Sequence, residues 1–177
     1  MTPVTFDRDD IVSALVKLAE LLAAGEVSTT IRVVGGAALA VAHGREATTT
    51  DIDALYGAPE DVSAAVAAIA ARRGWPETWL NDRVTMFASH YDHTAVWVPF
   101  TTRGSVDVWI APADLLLAMK LLAGRGWRDG TDIDLLCDAC ALRSTADAEA
   151  IFSRYYPHDE MAPRARAQLE RRFSAGH

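Results

Sequence analysis

Two aspartates separated by one residue are the clearest candidates for chemistry in this sequence. Asp51 and Asp53 flank Ile52 at the start of residues 51–56, an apolar segment that predicts a β-strand. Successive side chains on a strand point to opposite faces, so both carboxylates are expected on one side. Such neighbours repel each other, and a divalent cation, Mg²⁺ or Mn²⁺, relieves the repulsion. The alternative is a strand-end pair that faces water.

A pair of glycines between a predicted strand and a predicted helix is the second candidate. Residues 31–34 are short and β-branched, and residues 37–43 are typical of a helix. Gly35 and Gly36 would let backbone N–H groups at the positive end of a helix dipole approach a phosphate. The alternative is a tight turn that needs glycine. Together with the two aspartates, the pair favours a site for a metal and phosphates.

One lysine stands in an apolar helix. The chain has 17 basic residues, of which only Lys17 and Lys120 are lysines. Lys120 lies in the leucine-rich residues 112–122, where an ammonium group must either snorkel or meet an anion. A lysine in a sequence that otherwise favours arginine indicates a need for a compact point charge. Lys17 has the acidic neighbours of a solvated surface charge.

Further polar side chains add candidates. Asp107 interrupts the apolar strand predicted at residues 104–110 and is a candidate third carboxylate. Thr50 precedes the first aspartate, and its hydroxyl could bond a carboxylate or a phosphate. Asp132 is expected to cap a helix over residues 133–142.

Other residues of possible interest are better explained by packing. Trp79 could stack on a base and Asn81 could bond one, but a tryptophan pair around a proline favours packing. His90 and His93 have no third ligand nearby in the sequence, which argues against a zinc site.

Periodicity predicts the elements that must position these residues. The first helix is expected to begin at Ile11 after an Asp9 or Asp10 cap. Helices are predicted over residues 11–24, 37–43, 59–73, 112–122, 133–142, 145–156 and 163–173. Strands are predicted over residues 31–34, 51–56, 83–88, 95–100 and 104–110.

Length and composition limit the class of protein. A chain of 177 residues that is 50% hydrophobic predicts one domain, with a core at about residues 31–142 and closing helices at about 145–174. No long uncharged apolar segment and no basic leader occur, so we expect a cytoplasmic protein without a membrane partner. The net charge of -7 argues against a nucleic-acid coat, although residues 161–177 hold four arginines. Cys137 and Cys140 are expected in the core.

The glycine pair, the helix and the aspartates on the next strand resemble the defining motif of the polymerase-β-like nucleotidyltransferase superfamily. There the glycine turn holds the phosphates of a nucleotide, and the paired aspartates hold a divalent metal. The later run with Lys120, Arg128, Asp129 and Asp132 is similar to the minimal nucleotidyltransferases of the AbiEii and MenT toxin type. The resemblance covers roughly residues 31–142. It implies an α+β fold in which helices flank a small mixed sheet, with a helical C-terminal part.

The resemblance also implies an activity. The protein would transfer a nucleoside monophosphate from an NTP to an acceptor hydroxyl, at the 3′ end of tRNA, with a divalent metal. It would be the toxin of a bacterial toxin–antitoxin pair, with an antitoxin protein as partner. The alternatives are an AMP-transferring enzyme that modifies a protein and a catalytically silent binding module.

The implied roles fall on few residues. Mg²⁺ or Mn²⁺ would be held by Asp51 and Asp53, with Asp107 as a further ligand. The nucleotide would be bound by Gly35, Gly36, Thr50, Lys120 and Arg125. Catalysis would depend on Asp51, Asp53, Lys120, Asp129 and Asp132. Which of Asp129 and Asp132 is the later catalytic aspartate stays open.

Overall fold

The computed structural model describes residues 4–89, 92–124 and 127–174, with only the backbone of residues 127–129. The described residues form two compact units. Residues 4–85 and 97–111 belong to the first unit, and the second unit contains the remaining described residues. The single domain predicted for the whole chain stays a prediction.

A five-stranded mixed sheet is the centre of the first unit. Its strands are β1 (Thr29–Val33), β2 (Ile52–Tyr56), β3 (Leu80–Asn81), β4 (Val98–Arg103) and β5 (Val106–Ile110). Their spatial order is β3-β2-β1-β5-β4. β1 pairs antiparallel with β2 and parallel with β5, while β2 pairs parallel with β3 and β4 pairs antiparallel with β5. The predicted mixed sheet is confirmed.

The first unit contains three helices. α1 (Arg8–Ala24) precedes β1, α2 (Gly35–Ala42) connects β1 to β2, and α3 (Pro59–Arg73) connects β2 to β3. The prediction for α3 is confirmed to the residue. The predicted cap of α1 is wrong, because Asp7 is the N-cap. Asp7 accepts the Asp10 backbone N–H at 2.9 Å, and the Asp10 carboxylate accepts the Asp7 N–H in return. This reciprocal capping box starts the helix three residues earlier than the apolar periodicity predicts.

One face of the sheet is the apolar core of the first unit. Burial alternates along β1 and β5, and α1 packs on β4 and β5 while α2 packs on β2 and β5. Trp79 is fully buried, and its indole Nε1 donates to the Val66 carbonyl at 3.0 Å. The prediction that Trp79 is a packing residue is therefore confirmed. Lys17, as predicted, lies at the surface, where it pairs with Glu20.

The second unit is helical in its described residues, apart from loops. It contains α4 (Ala113–Ala123), α5 (Trp127–Ala139), α6 (Thr145–Tyr155) and α7 (Pro163–Ser174). α4 packs against each of the other three helices, because leucines cover most of its circumference. Asp114 in its first turn accepts hydrogen bonds from Arg154 and, at 2.9 Å, from the Tyr155 hydroxyl on α6.

Two predicted elements are wrong. Residues 83–88 are not a strand, because Arg83–Phe87 is a 3-10 helix in which both the N–H and the hydroxyl of Thr85 donate to the Asp82 carbonyl. The helix predicted from residue 133 begins at Trp127, so Asp132 lies inside α5 and does not cap it. Its side chain is used for an ion pair instead.

Cys137 is buried and Cys140 is half-buried, which confirms their place in the helical core. Burial raises the pKa of each thiol from an ordinary value of 9.0 to about 11. Both are therefore neutral thiols near pH 7, as expected for structural cysteines.

Within the described ranges, no helix combines the length and apolar character needed to cross a bilayer.

Candidate active site

The glycine pair forms the first turn of α2. β1 ends at Val33, Val34 is extended, and Gly35 takes the left-handed conformation with φ +64. The N-cap residue of this helix is Val34, whose apolar side chain makes no capping hydrogen bond. The first turn of any helix leaves its N–H groups without helical acceptors, and the helix dipole makes this end positive. The turn is therefore suited to bind an anion.

Asp53 packs directly against this turn. Its carboxylate Oδ2 lies 3.1 Å from the position that a Cβ atom on Gly35 would take. Its backbone carbonyl accepts the Val34 N–H at 2.9 Å, which joins β2 to the end of β1. Glycine is thus required at position 35 both by its φ angle and by the close approach of a carboxylate. The sequence prediction that these two motifs meet is supported by this geometry.

Arg45 and Thr49 lie over the second glycine. The Arg45 Nη1 atom is 2.8 Å, and the Thr49 hydroxyl 3.2 Å, from the position of a Cβ on Gly36. A guanidinium beside the positive end of a helix is unfavourable by itself. Arg45 Nη1 also donates to the Ala47 and Thr48 carbonyls at 3.5 Å, which holds the guanidinium over the turn. Arg45 thus adds positive charge at the end of the helix where an anion would bind. Sequence reasoning did not identify Arg45, because it stands in a polar loop with no distinguishing pattern.

Asp51 is held by an amide from a neighbouring strand. Asn81 Nδ2 donates to Asp51 Oδ2 at 3.2 Å, and Asn81 Oδ1 accepts the Arg83 N–H at 3.1 Å. Asn81 is only 8% exposed, and it is the register partner of Asp53 in the parallel pair of β2 and β3. Asn81 is thus adjacent to both aspartates. Its link to Asp51 is a contact that the sequence did not predict.

The loop before β2 supplies two threonine hydroxyls. Thr49 Oγ1 donates to the Asp51 carbonyl at 3.0 Å, which fixes the backbone of that residue. Thr50 is exposed, and its Oγ1 is 3.5 Å from Asp51 Oδ1. A hydroxyl at that distance is a weak donor to the carboxylate and is available to a ligand.

Asp107 lies at the other end of the sheet. In the parallel pair of β1 and β5 it is opposite Thr30, whereas Asp53 adjoins Val34. Thr30 on β1 and Val34 just after it are four residues apart, so Asp107 and Asp53 are about 13 Å apart along the strand direction. Asp107 accepts the Thr102 hydroxyl at 2.6 Å. The structure therefore does not bring Asp107 to the other two carboxylates, and we leave it out of the proposed metal site.

In the second unit, Lys120 on α4 pairs with Asp132 on α5. Their Nζ and Oδ2 atoms are 2.8 Å apart, and the side chains are 16% and 7% exposed. The Asp132 carboxylate is therefore the anion that the Lys120 ammonium requires among the leucines of α4. The pair explains why a charged residue is stable on each helix. Two other predicted site residues cannot be placed, because Arg125 and the side chain of Asp129 lie outside the described residues.

The comparison with protein families extends beyond these motifs. A family described as a nucleotidyltransferase of unknown function, DUF6036, matches residues 11–173. The chain belongs to this nucleotidyltransferase family. The comparisons with curated proteins and with solved structures give no match. The family description names no substrate and no biological role, so the toxin type stays a prediction for this nucleotidyltransferase.

The donor set of this nucleotidyltransferase fits Mg²⁺ or Mn²⁺. No cluster of three or more histidine, cysteine, aspartate or glutamate side chains that could hold a metal occurs among the described residues. Mg²⁺ in nucleotide sites needs only one or two carboxylates, because water and substrate phosphates supply its other oxygen ligands. Asp51 and Asp53 provide such a pair beside the N-terminal turn of α2.

Proposed function

We propose that this nucleotidyltransferase moves a nucleoside monophosphate from an NTP to an acceptor hydroxyl and releases pyrophosphate. The observation that carries the proposal is the contact of the Asp53 carboxylate with Gly35 at the start of α2. This proximity supports the proposal, because a metal–triphosphate complex requires a carboxylate for the metal next to a helix N-terminus for the phosphates. Neither the carboxylate nor the turn alone would distinguish nucleotidyl transfer from other reactions of phosphates.

Asp51 and Asp53 would hold the metal. When bound, Mg²⁺ or Mn²⁺ neutralises phosphate charge and orients the α-phosphate for attack. Asn81 keeps one oxygen of Asp51 hydrogen-bonded, and so restricts the direction of the carboxylate. The site is thereby organised before the nucleotide arrives.

The triphosphate would lie against the first turn of α2. The N–H groups of Gly35 and Gly36 and the guanidinium of Arg45 supply its donors, and the Thr50 hydroxyl is a further one. The acceptor oxygen attacks the α-phosphorus, the bond from that phosphorus to the bridging oxygen of the β-phosphate breaks, and pyrophosphate leaves. The acceptor hydroxyl loses its proton to a base. Donors on the leaving phosphates stabilise the charge that develops there.

Lys120 stays a proposed contributor to that stabilisation. Its Nζ atom lies 2.8 Å from Asp132 Oδ2, which restricts the direction of the Lys120 side chain. We therefore assign Asp132 to positioning Lys120 and do not assign it the role of general base.

We propose the 3′ end of tRNA as acceptor and a toxin role with a cognate antitoxin, on the basis of the resemblance to AbiEii and MenT toxins. The basic C-terminal helix offers limited support. Arg166 pairs with Glu149, and Arg172 pairs with Asp134 and Asp138. Two further arginines of α7 are exposed and make no ion pair within the described part of the chain, namely Arg164 and Arg171.

The acceptor can be identified directly. The protein is incubated with Mg²⁺, each NTP labelled at the α-phosphate, total tRNA and total bacterial protein, and the products are separated. Label in tRNA supports the proposal, whereas label in a protein band favours the AMP-transferring alternative. Absence of label from both tRNA and protein, with all four nucleotides, would contradict the transferase.

The toxin role is tested by growth on expression of the protein. Growth arrest that Asp53→Ala relieves would support the toxin role, and normal growth would count against it.

A further inference from the structure

Four residues of adjacent strands form a level row on the open face of the sheet. In the strand register Arg32 on β1 is opposite Leu55 on β2 and Trp109 on β5, and Trp109 is opposite Pro99 on β4. None of the four is buried, whereas the residues before and after Arg32 and Trp109 are. The row therefore lies on the face away from the apolar core.

A second tryptophan closes this row at the β4 edge. The Arg32 guanidinium lies 5.3 Å from the centre of the Trp97 ring, within the range of a cation–π contact. Arg32 is exposed, and Trp97 and Trp109 are half-buried. We call Arg32, Trp97 and Trp109 the Arg–Trp platform. Aromatic rings that keep part of their surface in water beside a cation are typical of binding surfaces.

The platform adjoins the metal-binding carboxylates. Asp53 is two residues from Leu55 on the same strand, so both side chains point to one face and lie about 7 Å apart along it. In the other direction Asp107 is two residues from Trp109 on that same face. The Asp107 carboxylate would repel a polyanion. A polyanion bound near Asp53 would therefore cross the strands along the platform toward β4.

We propose that the Arg–Trp platform binds the unpaired 3′-terminal nucleotides of an acceptor RNA, a hypothesis that rests on the proposed transferase function. The tryptophan rings would stack on bases, and the Arg32 guanidinium would contact a phosphate. Aromatic rings interleaved with a cation are the usual way in which proteins hold single-stranded nucleic acid. Base-paired RNA would bind weakly, because its bases cannot reach the rings.

The size and position of the platform favour the acceptor over the NTP. The platform extends over three adjacent strands, β1, β5 and β4, which together span about 10 Å and are broader than one base. The NTP already has a place for its phosphates at Gly35 and Gly36, on the other side of Asp53. An RNA end that crosses the platform would deliver its terminal hydroxyl to the carboxylates.

Binding can be measured without catalysis. A short single-stranded RNA with a free 3′ hydroxyl and a fluorescent 5′ end is titrated with the protein in the absence of NTP, at several salt concentrations. Trp97→Leu and Trp109→Leu should each weaken binding about fivefold or more, the loss typical of one stacked base. Arg32→Gln should weaken binding and lower the slope of log affinity against log salt by about 0.7, as for one lost phosphate contact.

The chain offers a matched control. The Arg73 guanidinium lies 4.7 Å from the Trp75 ring centre, in the same unit but on the helical side. Arg73→Gln removes an arginine from a tryptophan without touching the platform, so it should leave RNA affinity and salt slope unchanged. If a leucine variant of either tryptophan is poorly folded by circular dichroism, Trp97→Phe and Arg32→Lys provide milder changes, which should bind RNA between wild type and the severe variants.

The outcomes separate this inference from the proposed function. If RNA binding falls in the platform variants but no transfer is ever detected, the platform stands and the transferase fails. If transfer occurs while the platform variants bind RNA like wild type, the platform is wrong and the transferase stands. In an active enzyme, Arg32→Gln should raise the KM for acceptor RNA and leave the KM for NTP unchanged. The reverse pattern would overturn the assignment to the acceptor.

Discussion

The Asp53 carboxylate on β2 lies close to Gly35 at the start of α2, with Oδ2 3.1 Å from the position that a Cβ on residue 35 would occupy. This proximity couples the conformation of the proposed phosphate-binding turn to the position of the carboxylate that we propose as a metal ligand. A change in either residue should therefore affect both stability and activity, but to different extents.

Gly35→Ala should separate these two effects. Alanine at φ +64 costs about 1–2 kcal/mol of stability, and its methyl group would also displace the Asp53 carboxylate. Gly74→Ala is a matched control, since Gly74 has φ +66 and no atom within 4 Å of a new Cβ. Urea unfolding should show a loss of stability in both variants, whereas nucleotidyl transfer should fall only in Gly35→Ala. Equal activity of the two variants would show that the contact is unimportant.

Asn81 is predicted to act through Asp51. Asn81→Ala should lower kcat or metal affinity about tenfold to a hundredfold, the usual effect of removing a hydrogen bond to a metal ligand. Asn81→Asp should also lower kcat, because an aspartate has the size of asparagine but cannot donate to Asp51. Thr102→Val, which removes the donor to Asp107, is the control and should change neither kcat nor metal affinity. A wild-type kcat in Asn81→Asp would refute this role.

The ion pair of Lys120 and Asp132 predicts a strongly non-additive mutant cycle. Lys120→Met or Asp132→Leu alone breaks an ion pair between two largely buried side chains and should cost about 3–5 kcal/mol of unfolding free energy. The double variant should regain much of that loss. Lys17→Ala breaks only an exposed pair and should cost about 1 kcal/mol or less. Additive losses in denaturant unfolding would contradict the pairing.

The same cycle tests the role of Lys120 in catalysis. If Lys120 contributes charge to the reaction, the double variant should be folded but inactive. If its role is only structural, the double variant should recover activity together with stability. The measurement is nucleotidyl transfer per folded molecule, with the fraction folded taken from the unfolding curves.

The buried thiols predict a pH dependence of stability. Burial raises the pKa of Cys137 and of Cys140 from 9.0 to about 11 in the folded protein. The folded state holds these protons more tightly, so stability is unaffected below pH 9 and falls as pH rises toward about 11. In native protein at pH 8, iodoacetamide should react about a hundredfold more slowly than in urea-unfolded protein. Similar rates in the two states would show that the thiols are not protected.

Much of the candidate site was predictable because its signals are local. Gly35, Gly36, Asp51 and Asp53 lie within 19 residues of sequence, and strand alternation and helix geometry relate them directly. α3 was predicted to the residue, because Pro59 and Gly74 mark its ends and lie at the positions that favour those residues. In these segments local preference and tertiary structure agree.

The remaining contacts depend on long-range pairing that no local pattern encodes. Asn81 meets Asp51 only because β3, two residues long, pairs with β2. Asp107 looked like a third carboxylate until the register of β1 and β5 placed it at the far end of the sheet. Asp132 has the residue type of a helix cap, but it lies within α5 and pairs with Lys120.

The most direct test of the central claim is nucleotidyl transfer by Asp53→Asn. Wild-type protein and the variant are incubated with Mg²⁺, α-phosphate-labelled NTPs and total tRNA, with Lys17→Ala as a folded control. We predict labelled RNA with wild type and Lys17→Ala, and a rate lower by about a hundredfold or more with Asp53→Asn, since the variant loses a charge that neutralises the metal–phosphate site. Equal rates for wild type and Asp53→Asn would contradict a metal-dependent nucleotidyltransferase centred on Asp51 and Asp53.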